Sequence, residues 1–180
     1  MSGSGDASAL RYRSATAADI PAIVALVESA YRGDVSRQGW TTEADLLDGQ
    51  RVAPEVLQAD IERPSSRILL AWQGEVLMAC AHVAVQDGQG YFGMFAVRPD
   101  AQGGGIGKAV LAEAERIVRD EFHASRIRMT VIDLREELIA FYERRGYRRT
   151  GRKLPFPYGD ARYGTPLRDD LRFEMLEKSL

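Results

Sequence analysis

Four glycines stand within five positions of one turn, between a segment typical of a strand and a segment typical of a helix. They occupy positions 103–107 of the stretch VRPDAQGGGIGK, which runs from Val97 to Lys108. Glycine lets the backbone come close to a ligand, and the free N–H groups and positive dipole end of a helix's first turn suit phosphate oxygens. The turn therefore predicts a site for a phosphate-bearing ligand.

Two familiar phosphate-binding patterns do not fit this turn. The dinucleotide fingerprint G-x-G-x-x-G/A would place Val110 or Lys108 where its third small residue belongs. The P-loop pattern G-x-x-x-x-G-K-[ST] would have Gln102 at its first position and Ala109 at its last, so the turn glycine and the magnesium-binding hydroxyl are both missing. A dinucleotide and ATP are therefore poor candidates for the ligand.

Other residue types that carry out chemistry are few. The single cysteine, Cys80, has no identifiable base near it and is predicted to be buried packing. His82 alternates with Cys80 along a strand, which is more typical of a satisfied core or sheet-face histidine than of a catalyst. With His123 at a predicted helix end, no Cys/His spacing indicates a metal, and none is expected. Asp133 precedes Glu136 by three positions, which favours a helix N-cap over a general base.

Composition and charge exclude several classes of protein. The 180 residues carry 24 basic and 26 acidic side chains, a near balance that argues against a nucleic-acid partner. No apolar run approaches the ~18 residues of a membrane-spanning helix, so no membrane partner is expected. A lone cysteine is compatible with a reducing cytosol, and a cytoplasmic location is predicted. A basic run at 144–153 could attract an anion, although a solvated helix end and strand face is the favoured interpretation.

Hydrophobic periodicity predicts one mixed α/β (α+β) domain over residues 10–180, after a mobile N-terminal tail at residues 1–9. Its elements follow the order βααβββαβαββ, and the third antiparallel strand ends just before the glycine turn. The helix after the turn begins in the glycines. Strands are predicted at 10–14, 68–72, 76–85, 91–97, 127–132, 147–153 and 171–177, and helices after Thr16, from Pro54, over 106–122 and over 134–145.

Three features together resemble the GNAT superfamily of acetyl-CoA-dependent N-acetyltransferases. Gln102, Gly105 and Gly107 match the superfamily's loop Q/R-x-x-G-x-G/A. The segments Phe95–Pro99 (FAVRP) and Phe141–Tyr147 (FYERRGY) are similar to the end of its fourth strand and to its F/L-Y-x-x-x-G-F/Y segment. The resemblance implies the GNAT fold, a mostly antiparallel sheet of about seven strands, splayed between strands 4 and 5 and flanked by about four helices.

The same resemblance implies the co-substrate and its contacts. Acetyl-CoA would lay its pantetheine arm along the main chain of Phe95 and Val97, with Gln102 at the family's Gln/Arg position. The pyrophosphate would lie on the backbone amides of Gly103, Gly104, Gly105, Ile106, Gly107 and Lys108. Tyr142 matches the tyrosine with which many members protonate the departing thiolate. The chain departs from the family at Arg135, where many members have asparagine, and at Leu138, where many have a small residue.

The implied reaction is direct transfer of an acetyl group to an amine, which could be a small molecule, an amino acid or a peptide. The acceptor would lie between the segment that contains Trp40, Glu43 and Asp45 and the long loop at 155–168, where Tyr158 could enclose it. A non-catalytic acyl-CoA-binding or regulatory module is the alternative. An exposed sheet edge could also support a homodimer.

Overall fold

The computed structural model describes residues 9–32, 36–37, 39, 42–49, 51–160 and 164–180. Trp40 and most of the predicted N-terminal tail, residues 1–8, lie outside the described residues. The strands are β1 (Arg11–Ser14), β2 (Leu47–Asp48), β3 (Ser66–Gln73), β4 (Val76–Gln86), β5 (Gln89–Val97), β6 (Arg126–Ile132), β7 (Arg148–Pro155), β8 (Thr165–Pro166) and β9 (Arg172–Ser179). The helices are α1 (Ile20–Tyr31), α2 (Pro54–Glu62), α3 (Ile106–Arg116) and α4 (Glu136–Glu143).

Seven of these strands form one sheet in the order β1-β3-β4-β5-β6-β9-β7, in which only the β5–β6 pair is parallel. The predicted mostly antiparallel sheet of about seven strands with four helices is therefore confirmed. The two-residue strands β2 and β8 pair separately and join the predicted loops around residues 47 and 165. Among the described residues, no helix is long and apolar enough to cross a membrane.

Apolar side chains cover both faces of the sheet, because successive strand residues point to opposite sides. In β4, Ala79, Ala81 and Val83 pack with α3 and α4, whereas Cys80 packs with α1 and α2. The central strands are consequently buried on both faces, and the two helical layers lie on opposite sides of the sheet.

The sheet opens between β5 and β6, which correspond to strands 4 and 5 of the predicted fold, as expected. These strands pair in register only at Gly90↔Ile127 and Tyr91↔Arg128, after which they separate. On its other edge β5 carries a bulge against β4, and Met94 within it adopts a positive φ of 47°. A bulge bends its strand and increases the local twist. The bend is consistent with β5 turning away from β6 and leaving a gap between them.

Two helix N-termini are capped in different ways. The capping box of Thr16 and Asp19 is present, and it begins a 3₁₀ turn that leads into α1. The predicted Asp133 cap of α4 is wrong, since Arg135 is the residue at the N-cap. The Asp133 carboxylate instead receives Lys153 Nζ at 3.1 Å and an Arg172 guanidinium nitrogen at 3.3 Å. Two cations from neighbouring strands thus bind the carboxylate that sequence spacing predicts to cap the helix.

Candidate active site

The glycine turn forms one wall of a pocket of about 300 Å³, which we call the turn pocket. Most residues predicted to contact the phosphates line it, together with two arginines and a phenylalanine from the end of α4. Its lining residues are Phe95, Val97, Gln102, Gly103, Gly105, Gly107, Lys108, Phe141, Arg144 and Arg145. Gly104 is exposed and Ile106 packs partly against the core, so neither lines this pocket.

The shape of the turn depends on its glycines. Gly103 and Gly105 have φ values of 91° and 85°, which residues with a side chain rarely adopt. Gly105 is the N-cap of α3. A Cβ added at Gly107 would lie 3.1 Å from Cζ of Phe95. Gln102 Nε2 donates a hydrogen bond to the Val97 carbonyl at 3.0 Å and ties the turn to the end of β5. The first turn of α3 is therefore held against the strand with its backbone accessible.

Two arginines at the end of α4 add positive charge to the turn pocket. The Arg145 guanidinium lies 3.7 Å from the ring centroid of Phe141 and donates to the Phe141 carbonyl. Burial and the neighbouring Arg144 lower the pKa of Arg145. Arg144 and Arg145, which belong to the basic run predicted to be a solvated helix end and strand face, line the same pocket as the glycine turn. Their position favours an anionic ligand.

The separation of β5 from β6 leaves a small cavity of about 60 Å³, which we call the strand gap. Its lining residues are Tyr31, Glu43, Arg51, Phe92, Gly93, Met94, Phe95, Met129, Thr130, Val131, Ile132, Arg135, Leu138, Tyr142 and Phe173. Phe95 also lines the turn pocket. Arg135 and Leu138, which depart from the family pattern, both line the gap.

Tyr142 is a buried α4 residue at this gap, as is Leu138. Its ring packs edge-on against Phe92 and Tyr147, at centroid distances of 6.4 and 5.8 Å. Burial raises the pKa of Tyr142 well above 10.0, and nearby Tyr31 adds to the increase while Arg135 opposes it. The phenol therefore keeps its proton at neutral pH.

A larger cavity of about 440 Å³ lies on the α1 and α2 side of the sheet, and we call it the acceptor cavity. It shares seven lining residues with the strand gap: Glu43, Arg51, Gly93, Met94, Thr130, Ile132 and Phe173. The remaining lining residues are Arg32, Leu47, Val52, Ala53, Val56, Asp60, His82, Tyr91 and Phe156. The strand gap thus shares Phe95 with the turn pocket and seven residues with the acceptor cavity, so it lies between the two.

Glu43 and Asp45, which are both predicted to border the acceptor, differ in position in the structure. Glu43 lines the acceptor cavity but is only 4% exposed, and its carboxylate receives Arg32 and Arg135. Burial opposes its charge, yet Arg135, Arg51 and Arg32 together hold the pKa of Glu43 below its usual value. Asp45 lies on the surface, paired with Arg37, and does not line the cavity.

Tyr158 takes a structural position in the described part of the 155–168 loop. Its hydroxyl donates to the Arg168 carbonyl and accepts a hydrogen bond from the Leu171 amide, at 3.1 and 2.8 Å. Its ring packs edge-on against Phe156, which does line the acceptor cavity. Tyr158 therefore contacts the cavity wall from outside.

His82 is predicted to be a core or sheet-face histidine, and in the structure it lines the acceptor cavity. It is 6% exposed, its Nε2 lies 2.8 Å from Ser66 Oγ, and its Nδ1 lies 3.7 Å from Asp60 Oδ2. Ser66 Oγ donates its hydrogen to the Asp60 carbonyl, so it accepts a hydrogen bond from His82 Nε2–H. Nδ1 is then left unprotonated. Burial lowers the pKa of His82, and the effect of Arg63 has the same sign, whereas Asp60 opposes it.

Sequence patterns could not have placed His82 in the acceptor cavity, because its position there depends on contacts between distant segments. Its cross-strand neighbours Ser66 and Tyr91 come from separate strands, and Asp60 comes from α2. Cys80, two residues earlier, has a pKa raised to about 12 by burial and remains a packed thiol. Among the described residues, no group of His, Cys, Asp and Glu side chains could hold a metal ion.

The comparisons agree with this architecture. The sequence model of the acetyltransferase (GNAT) family matches residues 27–147, about two thirds of the chain. The chain therefore belongs to the GNAT acetyltransferase family. No curated protein matches it in sequence.

Solved structures of acetyltransferases share the fold at low sequence identity. The ribosomal-protein-S18-alanine N-acetyltransferase of Escherichia coli is 15% identical, with a TM-score of 0.68 over 95% of this chain and 94% of that one. A GNAT-family acetyltransferase from Streptococcus pneumoniae is 17% identical, with a TM-score of 0.68 over 96% of this chain and 100% of that one. A GNAT-family acetyltransferase from Elizabethkingia anophelis, solved with acetyl-CoA bound, is 16% identical, with a TM-score of 0.60 over 71% of this chain and 84% of that one.

Proposed function

We propose that the protein transfers the acetyl group of acetyl-CoA directly to an amine acceptor while both substrates are bound. The strand gap carries this proposal, because it lies between a pocket suited to an anionic ligand and a second cavity on the other side of the sheet, and it shares lining residues with both. A donor in the first pocket and an acceptor in the second would meet at the gap. The buried thiol of Cys80 lines none of these three cavities, which favours direct transfer over an acyl-enzyme.

The turn pocket is the proposed site for the pyrophosphate of acetyl-CoA, which supplies the acetyl thioester. The backbone amides at 103–108 would bind its oxygens, and Arg144, Arg145 and Lys108 would balance its charge. The close approach of Gly107 to Phe95 fits this assignment, since it brings the first turn of α3 to the strand along which the pantetheine arm would run. This arm would follow the main chain of Phe95 and Val97 toward the gap.

Tyr142 is the proposed acid. As the acceptor nitrogen bonds to the acetyl carbon, the carbon–sulfur bond breaks and the departing sulfur needs a proton. Tyr142 lines the gap where these atoms would meet. Burial keeps its phenol protonated until then, so the proton is available at neutral pH.

His82 is the proposed base, and it accepts the proton that the acceptor ammonium must lose before attack. Its unprotonated Nδ1 lies beside Asp60, and the carboxylate would stabilise the imidazolium that forms. His82 is the register partner of Gly93, which lines both the acceptor cavity and the strand gap. The base therefore lies one strand away from the gap.

The first experiment compares melting temperatures with acetyl-CoA, CoA, ATP-magnesium and NAD, each at about one hundred times a plausible Kd. Selective binding at that excess adds ~2.7 kcal/mol, a rise of roughly 5 to 10 °C for a chain of this length. A thiol-release assay with an amine panel then tests for transfer. Stabilisation by acetyl-CoA without transfer to any amine would favour the non-catalytic acyl-CoA-binding module. No stabilisation by either CoA species would overturn the proposal.

A further inference from the structure

Arg51 is a partly buried cation, with 27% of its side chain exposed. Its Nε is inaccessible to solvent and has no hydrogen-bond partner, and none of the described residues accepts a hydrogen bond from its guanidinium. The nearest carboxylate oxygen, Oε2 of Glu43, is 3.8 Å from Nε, beyond hydrogen-bond distance. The guanidinium lies 5.2 Å from the ring centroid of Tyr31. Because Nε is closed to solvent, an acceptor group in the cavity would meet the terminal guanidinium nitrogens, which the partial exposure of the side chain leaves accessible.

The neighbouring carboxylates are committed to other donors. Glu43 binds Arg135 through Oε1, at 3.0 Å, and Arg32 through Oε2. Glu28 Oε1 accepts hydrogen bonds from the backbone amides of Arg51 and Val52, at 2.5 and 3.2 Å. Glu28 therefore fixes the main chain at Arg51, and Glu43 is occupied by the other two arginines. The Arg51 side chain is positioned but not neutralised by hydrogen bonding.

Arg51 lines both the acceptor cavity and the strand gap. An anionic group bound to it would therefore lie beside the place where acetyl transfer must occur. Guanidinium matches a carboxylate in geometry as well as in charge, because two parallel N–H groups can meet two oxygens. The rest of the cavity wall is mixed: Val52, Val56, Ile132 and Phe156 are among its apolar residues, and Glu43, Asp60 and His82 are among its polar ones.

We infer that the acceptor is an α-amino acid with an apolar side chain, held by its carboxylate on Arg51; this inference rests on the proposed function. An α-amine is one carbon away from its carboxylate carbon, so binding of the carboxylate at Arg51 leaves the amine near the strand gap. His82, on the opposite side of Gly93, receives the ammonium proton. The amine nitrogen then bonds to the acetyl carbon, the carbon–sulfur bond breaks, and the sulfur takes the Tyr142 proton; the second proton that the nitrogen loses as the amide forms restores the Tyr142 phenol. The apolar side chain of the amino acid packs against Val56 and Phe156 in the cavity wall.

The test measures CoA thiol release from acetyl-CoA with three matched acceptor sets. These are leucine, methionine, valine and phenylalanine, the amides of the same four amino acids, and the corresponding amines without a carboxyl group. We expect kcat/KM for at least one amino acid to exceed that of its amide and its amine by about thirtyfold or more. The amide keeps the size and the amine, and it replaces the negatively charged carboxylate by a neutral carboxamide.

The matched variants are Arg51→Met, Arg51→Lys and Arg119→Met. Arg119 is an exposed arginine paired with Asp120, outside all three cavities. Arg51→Met should lower kcat/KM for the amino acid at least thirtyfold and change that for the amide less than threefold, while Arg51→Lys should recover part of the loss. Arg119→Met should match the wild type. Melting temperatures with and without acetyl-CoA establish that each variant is folded and binds the donor.

The outcomes separate this inference from the proposed function. If the amides or the amines are acetylated as well as the amino acids, or if Arg51→Met lowers all three sets equally, the carboxylate assignment is overturned and the acetyltransferase proposal stands. If none of the three sets is acetylated but another amine of the panel is, the inference is overturned and the acetyltransferase proposal stands; if acetyl-CoA stabilises the protein and no amine of the panel is acetylated, both fail. Preference for the amino acid that disappears in Arg51→Met supports both.

Discussion

Gly93 is the register partner of His82 in the β4–β5 ladder, and it lines both the acceptor cavity and the strand gap. A Cβ added at Gly93 would lie 2.2 Å from the Tyr91 hydroxyl oxygen and 2.6 Å from its ring carbon Cζ. The Tyr91 ring in turn packs edge-on against the His82 imidazole, with centroids 5.5 Å apart. The absence of a side chain at position 93 thus lets Tyr91 lie beside the proposed base.

Substitution of Gly93 by alanine should displace Tyr91 and disturb His82. We expect Gly93→Ala to lower kcat/KM for the acceptor about tenfold or more, while the Kd of acetyl-CoA stays within twofold of wild type. Gly90→Ala offers a comparison on the same strand, because a Cβ there would meet Val118 and the Arg126 carbonyl instead and should reduce stability first. Steady-state kinetics and melting temperatures measure both variants. Wild-type kcat/KM in a folded Gly93→Ala protein would contradict the role given to Tyr91.

Tyr142→Phe removes the phenolic proton and keeps the ring. If Tyr142 protonates the departing thiolate, turnover should fall at least about tenfold, with acetyl-CoA affinity near wild type. The measurement pairs thiol-release kinetics with calorimetric binding of acetyl-CoA. Tyr147→Phe is a useful comparison, since the Tyr147 hydroxyl contacts Glu115 at 3.0 Å and lies outside the gap lining. Equal turnover in Tyr142→Phe and wild type would remove Tyr142 from the acid role.

The pH dependence of kcat/KM should report on His82. Burial lowers its pKa below 6.5, Arg63 acts in the same direction and Asp60 opposes them, so the imidazole is neutral and able to accept a proton at pH 7. Activity should therefore persist below pH 6.5 and decline only as the pH falls through that lowered pKa. His82→Gln should lose ~10²-fold in kcat/KM and lack this decline. An unchanged acid limb in a folded His82→Gln protein would assign the titration to another group.

Glu43→Gln should destabilise the protein by about 3 to 5 kcal/mol at neutral pH, because it removes a buried anion that Arg32 and Arg135 both contact. The arginines hold the pKa of Glu43 below 4.5, despite the opposing effect of burial. Its stabilisation is therefore fully present above pH 4.5 and is lost as the pH falls through the folded-state pKa. Denaturant unfolding should show the difference between the two proteins shrinking in acid. Asp45→Asn, on an exposed side chain, should leave stability nearly unchanged; an equal loss in both variants would contradict the distinction.

Within the glycine turn, the effect of a methyl group should depend on position. Gly107→Ala places its Cβ 3.1 Å from the Phe95 ring and should weaken acetyl-CoA binding about tenfold, by moving the first turn of α3 from the strand. Gly104→Ala has only the Ala101 carbonyl within 4 Å, at 3.6 Å, and keeps its amide, so its Kd should change less than twofold. Calorimetric titration with acetyl-CoA distinguishes these results. Equal affinities in the two variants would argue against the close approach at Gly107 as the reason for glycine there.

Local patterns were sufficient to predict most of the fold. Alternating apolar residues with tight turns at 73–75 and 87–88 predict the β3–β4–β5 meander, which the structure contains with ends shifted by a few residues. The same local reasoning failed at Asp133, whose spacing to Glu136 suits a helix cap. Lys153 and Arg172, distant in sequence, bind that carboxylate instead. Spacing along the chain cannot include competition from cations that only folding brings near.

The sequence by itself determined the order of the elements, the family and the glycine turn, because these depend on periodicity and on residues within a few positions of one another. Only the tertiary structure decided which side chains share a cavity. It placed Glu43 among three arginines, directed Asp45 to the surface and turned His82 toward Asp60 and the acceptor cavity. Arg51 gained its position between that cavity and the strand gap in the same way. Burial and charge pairing arise from contacts between distant segments, and those contacts exist only after the chain has folded.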